Sequence, residues 1–259
     1  DDAGLKRLVG YDTSSEIPDG DIVVKLDSED LKSRYNPERS YSGDANTEPF
    51  MKAVITMKQQ DGQDNALLYY SRAANMMPSV PNQFQSNLIS DVLKDGWSED
   101  ANPLIPYMQI WKPALDEVRK GVEVVFAENP PYEGPSTPVP NFLFGQLAAK
   151  ILCVEGNYLE SQGKNREALE NYMTALNMGR DYAAENALLI GHLISIALEQ
   201  IAARQIYELV NSGELNVPEL ESAIVRIQAV ENGHPDTVTA FEMEANCMRW
   251  SLEKMKTDD

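Results

Sequence analysis

The chain has 259 residues, of which 42% are hydrophobic and 24% charged, a composition typical of folded proteins. Its formal net charge of -19 repels nucleic-acid phosphates and anionic lipid headgroups, and its basic residues are scattered. Nucleic acid and anionic membrane surfaces are therefore poor partners. The sequence has no apolar run long enough for a membrane span.

Residues 1 to 46 are rich in Asp, Glu, Ser, Gly and Asn, and their one compact apolar run is Ile22-Val23-Val24. This pattern predicts an acidic, partly extended arm with one short strand, followed by a helical domain over 47–259. The acidic, polar start at Asp1 fits a mature form trimmed of a signal or anchor segment. We therefore expect an extracytoplasmic location, periplasmic or envelope-anchored, rather than a cytoplasmic one.

Apolar residues then recur at steps of three and four, which is the periodicity of amphipathic helices. Pro78 ends the second of these segments. In the first half of the domain, helices are predicted over 48–60, 64–77, 83–94 and 102–127.

Five prolines lie between residues 128 and 141, where they exclude helix and favour an extended path. We interpret this segment as a stiff connector. The stretch Pro135-Ser136-Thr137-Pro138 also has the spacing of a PxxP ligand, so recruitment of a partner is the alternative.

Helical periodicity returns after the connector. Helices are predicted over 144–162, from Asn165 onward with that residue as the cap, over 182–210, over 216–230, and up to Lys256. Asn216, Pro218 and Glu219 form a typical helix start. Because no strand-rich region occurs after the arm, the predicted fold class is all-α, built of stacked antiparallel helical hairpins.

Two predicted helices share one pattern: an alanine, a tyrosine four residues later and an alanine three after that. The two sets are Ala66, Tyr70 and Ala73, and Ala168, Tyr172 and Ala175. This spacing puts small, large and small side chains on one helical face, which favours close packing against a neighbouring helix.

Residues 149–179 resemble a tetratricopeptide repeat, with Gly156 at the close approach of its two helices and Ala168, Tyr172 and Ala175 in register. The segment ending at Pro78 resembles the second helix of another such repeat. Glu155 departs from the pattern, since the repeat prefers an apolar residue there. The resemblance implies an irregular helical superhelix that binds a protein or peptide.

More broadly, residues 102–256 resemble a group of all-helical bacterial proteins of planctomycete type. This resemblance implies the helical fold and no particular activity. The matching segments are Pro140 to Glu155, Glu167 to Leu169, Leu189 to Gly191, and Leu215 to Leu220.

Few residues suggest catalysis or metal binding. His192, Ser195 and Glu199 share a helical face, which permits a nucleophile and base, but no second element or glycine-rich elbow accompanies them. A hydrogen-bonded polar set in a buried helix is the favoured interpretation. Glu231 and His234 have the spacing of metal ligands, yet they lie in a predicted turn without a second pair.

The two cysteines, Cys153 and Cys247, do not form a disulfide framework. Two buried free thiols are the favoured interpretation, and one long-range bridge is the alternative.

The sequence therefore predicts a non-enzymatic scaffold, without cofactor, metal or catalytic residues, that binds a protein or peptide. On tetratricopeptide-like geometry, a polar stripe beside Cys153 would contact the partner; it consists of Gln146, Lys150, Asn157 and Ser161. A solvated face is the alternative for this stripe. The competing function is a cell-envelope protein or enzyme that binds a small molecule or glycan in a pocket between helices.

Overall fold

A computed structural model describes residues 64–78, 80–132, 134, 137 and 139–257. All of them belong to one compact unit, Met51–Asp259. The predicted acidic arm, its short strand and the predicted helix over 48–60 lie outside the described residues.

The described residues are all-α, as predicted. They form α1 (Ala66–Asn75), α2 (Gln83–Asp95), α3 (Leu104–Val122), α4 (Phe142–Glu160), α5 (Asn165–Tyr182), α6 (Leu189–Ser212), α7 (Val217–Asn232) and α8 (Thr237–Thr257). A short 3-10 helix, Glu99–Ala101, precedes α3. No β-strand occurs in these ranges, and Glu128 and Glu185 form an isolated bridge. No described helix has both the length and the apolar character that a bilayer crossing requires.

Side-chain caps fix several helix starts. The predicted cap of α7 is confirmed: the Asn216 side chain accepts from the Glu219 amide, and the Glu219 side chain accepts from the Asn216 amide. The predicted cap of α5 is wrong. Its first intrahelical bond runs from Ala168 N–H to the Lys164 carbonyl, so Asn165 lies inside the first turn.

The helices pack in two layers. In one layer α2, α4, α6 and α8 lie side by side in that order, and in the other α1, α3, α5 and α7 do the same. Extensive packing of α5 against both α4 and α6 joins the layers. Short connections make consecutive helices such as α4 and α5 antiparallel.

The faces with small, large and small residues are buried, as expected. Tyr70 and Tyr172 are at most 2% exposed. Each ring lies against the backbone of a glycine: a Cβ on Gly121 would be 2.5 Å from the Tyr70 ring, and one on Gly156 would be 2.2 Å from the Tyr172 ring. These glycines therefore allow a tyrosine to fill the space between two closely packed helices.

The predicted helix starting at Tyr182 is wrong at its beginning, because α6 starts at Leu189. The intervening segment is held by the connector. The backbone N–H of Asn129 donates to the Glu185 carbonyl (2.9 Å), and the Asn186 side chain donates to the Asn129 carbonyl (3.2 Å). Asn186 has φ +63°, a left-handed conformation that ends regular helix.

Glu155, the residue that departs from the repeat pattern, is paired. The Arg119 guanidinium of α3 donates to its carboxylate (2.5 Å) and also to the Asn171 side chain of α5 (2.9 Å). Arg119 therefore connects three helices, and Glu155 on α4 adds a second carboxylate acceptor to that of Asp116 on α3.

Candidate functional site: a groove between α2, α4 and α6

An open groove of about 360 Å³ lies on the layer that contains α2, α4 and α6. Each of the three helices contributes to its lining. The lining residues are Leu93, Gln146, Lys150, Ala197, Gln200, Ile201, Arg204 and Gln205.

Two neighbouring side chains of α6 hold the end of α2 in place. Gln205 Nε2 donates to the Leu93 carbonyl (3.0 Å), and an Arg204 guanidinium nitrogen donates to the Lys94 carbonyl (3.1 Å). These carbonyls belong to the last turn of α2, where the helix offers them no N–H partner. These hydrogen bonds to the terminal carbonyls of α2 therefore fix one wall of the groove.

A buried amide continues this network. Asn157 of α4 donates to Gln205 Oε1 (2.7 Å) and to the Cys153 carbonyl (2.9 Å), and it is 7% exposed. One hydrogen-bonded chain thus runs from α4 through α6 to α2. Such a buried network requires every member to be satisfied, and it fixes the spacing of the three helices.

Charge distinguishes the groove from the rest of the molecule. Its charged lining residues are Lys150 and Arg204, both basic, in a chain of net charge -19. Lys150 makes no hydrogen bond or ion pair with any residue of the described part of the chain. Arg204 keeps further N–H donors beside its bond to the Lys94 carbonyl. The groove therefore offers positive charge beside the amides of Gln146 and Gln200.

The structure separates the four residues of the predicted polar stripe. Gln146 and Lys150 both line the groove. Asn157 is buried beneath it, and Ser161 is exposed beyond the end of α4, where its hydroxyl donates to the Tyr158 carbonyl (2.7 Å). Cys153 is fully buried, and burial raises the pKa of its thiol.

Sequence reasoning missed the contribution of α6. Ala197, Gln200, Ile201 and Arg204 recur at steps of three, one and three, which places them on one face of that helix. The available signal was the pair Gln200 and Arg204, which lie four residues apart on one face of the helix. Only the packing of α6 against α4 shows that this face meets Gln146 and Lys150.

A second polar cluster lies on another part of α6, and the structure adds a histidine to it. His234 comes from the connection between α7 and α8, and its Nε2 is 3.1 Å from Glu199 Oε1 and 3.4 Å from Ser195 Oγ. Ser195 donates to the same Glu199 oxygen at 3.0 Å. The predicted face of α6 thus does receive a side chain from a second element.

The geometry of this cluster differs from that of a Ser-His-acid relay. In a relay the serine and the acid bind opposite nitrogens of the imidazole. Here both contact Nε2, while Nδ1 lies 3.1 Å from the carbonyl of Pro235, and Ser195 is fully buried. The arrangement ties the connection between α7 and α8 to α6.

The second histidine lies beside this cluster. His192 is 2% exposed, and its ring centre is 6.3 Å from that of His234. Burial, and secondarily the charge of His234, lower the pKa of His192. It is therefore held in its neutral form to lower pH than an exposed histidine.

The prediction of a turn is wrong for Glu231, which lies exposed in the last turn of α7; His234 does follow the helix, and its two ring nitrogens face Glu199 and Pro235. Among the described residues, no group of three or more His, Cys, Asp or Glu side chains is placed to hold a metal ion.

A smaller cavity lies beside the connector. Its volume is about 20 Å³, and Asn129, Tyr132, Asn186 and Gly191 are among its lining residues. A cavity of this size holds about one water molecule.

Comparison of the chain with protein-family models, with curated proteins and with solved structures gives no match.

Proposed function

We propose that this protein is a non-enzymatic helical scaffold that binds a segment of a partner protein or peptide in the groove between α2, α4 and α6. The observation that carries the proposal is the joint lining of one open groove by Gln146 and Lys150 of α4 with Gln200 and Arg204 of α6. The resemblance of residues 149–179 to a tetratricopeptide repeat also supports the binding of a protein or peptide.

The lining suits a peptide chain. Leu93, Ala197 and Ile201 offer apolar contacts, and the side-chain amides can donate to and accept from a peptide backbone. Lys150 and Arg204 favour a segment that carries carboxylates over one that carries basic side chains. We therefore propose an acidic or neutral peptide segment as the ligand class.

A library of unstructured peptides, displayed and selected on the full chain, tests this proposal. Lys150→Glu should raise the Kd of the selected peptides by about tenfold or more, which corresponds to about 1.4 kcal/mol of binding free energy. Lys164→Glu is the matched control, because it makes the same change of charge at an exposed lysine between α4 and α5. Failure to select any peptide, or equal effects of the two variants, would contradict the proposal.

The competing function is the binding of a small molecule or glycan, and the groove volume of about 360 Å³ is compatible with it. A thermal-shift panel of metabolites and glycans separates the two. Saturable stabilisation by one compound, abolished by Lys150→Glu and retained by Lys164→Glu, would favour this second function.

A further inference from the structure

The last helix carries an apolar stripe on the face that points away from the rest of the molecule. The stripe residues are Val238, Phe241, Ala245, Met248 and Leu252. Their spacing of three, four, three and four residues is that of a coiled-coil seam. The four large members are between 55% and 60% exposed.

The opposite face of α8 holds the helix in place, so its orientation is defined. Ala240 and Cys247 are buried, and α8 packs against α6. Trp250 lies against the connector: its ring centre is 6.0 Å from that of Tyr132, and a Cβ on Gly134 would be 2.5 Å from it. The apolar stripe therefore lies at the free edge of the layer formed by α2, α4, α6 and α8, on the side of α8 away from α6.

Stacked-helix proteins ordinarily end in a helix with a polar outer face, because nothing packs against it. Here the outermost described helix of the layer has the stripe in that position. An exposed apolar face of this kind marks an interaction surface.

We propose that the stripe pairs with the same stripe of a second copy of this chain, with the two α8 helices antiparallel. A twofold interface brings one surface against itself, so the stripe must be self-complementary. In the antiparallel register, Phe241 of each copy meets Leu252 of the other, and Ala245 meets Met248. Each of these facing pairs then combines a larger with a smaller side chain. A parallel pair of helices would instead set Ala245 against Ala245 and leave a gap.

The charges beside the stripe agree with this register. Glu242 and Arg249 are exposed and flank the stripe on the same side. In the antiparallel pair, Glu242 of each copy lies beside Arg249 of the other, which gives two attractive contacts related by the twofold axis. Arg249 makes a 3.3 Å bond to Asn246 of its own helix, and its guanidinium has further donors for the carboxylate.

Sedimentation of the full chain over a range of concentrations tests the pairing. The wild type should move from the 28.9 kDa monomer to a species of twice that mass as concentration rises. Phe241→Glu with Met248→Glu should remain monomeric. Leu143→Glu, at a residue of α4 that is 76% exposed, is the matched control and should dimerise like the wild type.

Charge reversal decides the register without touching the apolar residues. Glu242→Arg alone and Arg249→Glu alone each place like charges across the interface and should raise the dimer Kd by at least about tenfold. The double variant Glu242→Arg with Arg249→Glu restores opposite charges and should recover the wild-type Kd. Three results would overturn the proposal. The wild type could remain monomeric at every concentration, the variant with both Phe241→Glu and Met248→Glu could still dimerise, or the double charge-reversal variant could have a dimer Kd as high as those of the single variants.

Discussion

The hydroxyl of Tyr70 donates a 2.5 Å hydrogen bond to Oδ2 of Asp181, although 111 residues separate them. Asp181 is 2% exposed, and its other oxygen accepts from the Arg180 guanidinium at 2.6 Å. Burial raises the pKa of this carboxyl despite the opposing charge of Arg180 and the bond from Tyr70. The Tyr70 ring also stacks on Tyr182, with ring centres 5.9 Å apart. This contact fastens α1 to the end of α5.

Tyr70→Phe should destabilise the fold, because it leaves a buried carboxylate oxygen without its donor. The expected loss in the free energy of unfolding is about 1 to 3 kcal/mol. Urea denaturation followed by circular dichroism measures it. Tyr69→Phe is the matched control, since the Tyr69 hydroxyl donates to Asp64 in an exposed hydrogen bond, and it should cost about 0.5 kcal/mol or less. Equal losses in the two variants would contradict the role of the buried contact.

Gly156→Ala should also destabilise the fold, because its Cβ would lie 2.2 Å from the Tyr172 ring. Forcing one methyl group into this contact should cost about 1 to 3 kcal/mol, measured by thermal or urea unfolding. Gly163→Asn serves as the control. Gly163 has φ +72° and open space around its Cβ position, and asparagine tolerates that conformation. A Gly156→Ala variant as stable as Gly163→Asn would show that α4 and α5 can separate freely.

Acidification should destabilise the protein through His192. The pKa of His192 is lowered in the folded state, so between that pKa and the ordinary value of about 6.5 the unfolded chain binds more protons than the folded one. The stability that neutral His192 contributes is present above about pH 6.5 and is lost as the pH falls through the folded pKa.

The free energy of unfolding, measured across this pH range for the wild type and His192→Gln, checks that expectation. The wild type should lose more stability on acidification than the variant. His234, the other histidine of the chain, is present in both proteins, so the difference between the curves reports His192 together with its electrostatic coupling to His234. Parallel curves would contradict the assignment.

Both thiols should resist alkylation in the folded protein. Cys153 is fully buried and Cys247 is 8% exposed, both are free, and burial raises the pKa of each. Reaction requires the thiolate, so iodoacetamide labelling followed by mass spectrometry should show slow modification until denaturant is added. Two labels should then appear without reductant. A requirement for reductant would support the disulfide that the sequence left open.

The parts of the fold that depend on neighbouring residues could be predicted from the sequence. The cap of α7 needs only Asn216 and Glu219, three residues apart. The buried faces around Tyr70 and Tyr172 follow from helical spacing in the same way. The break between α5 and α6 was predicted at the wrong residues, because residues 183–187 have the local character of helix. A hydrogen bond from Asn129 of the connector to the Glu185 carbonyl holds this segment outside α6.

The candidate site also has one part that depends on neighbouring residues and one that depends on tertiary packing. The sequence placed Gln146 and Lys150 on one face of α4, because a helix brings side chains four residues apart together. It could not place Arg204 beside them, since the contact between α4 and α6 depends on how the two helices pack.

The sequence by itself determined most of the described helical segments, where α7 begins, and which alanines and tyrosines face inward, because these properties depend on residues within one or two turns. Only the tertiary structure decided that Asn157 is buried beneath the groove, that His234 reaches Ser195 and Glu199, and that the apolar stripe of α8 faces outward. Each of these depends on which helix lies next to which, and the free energy of that choice is distributed over many contacts that no short pattern contains.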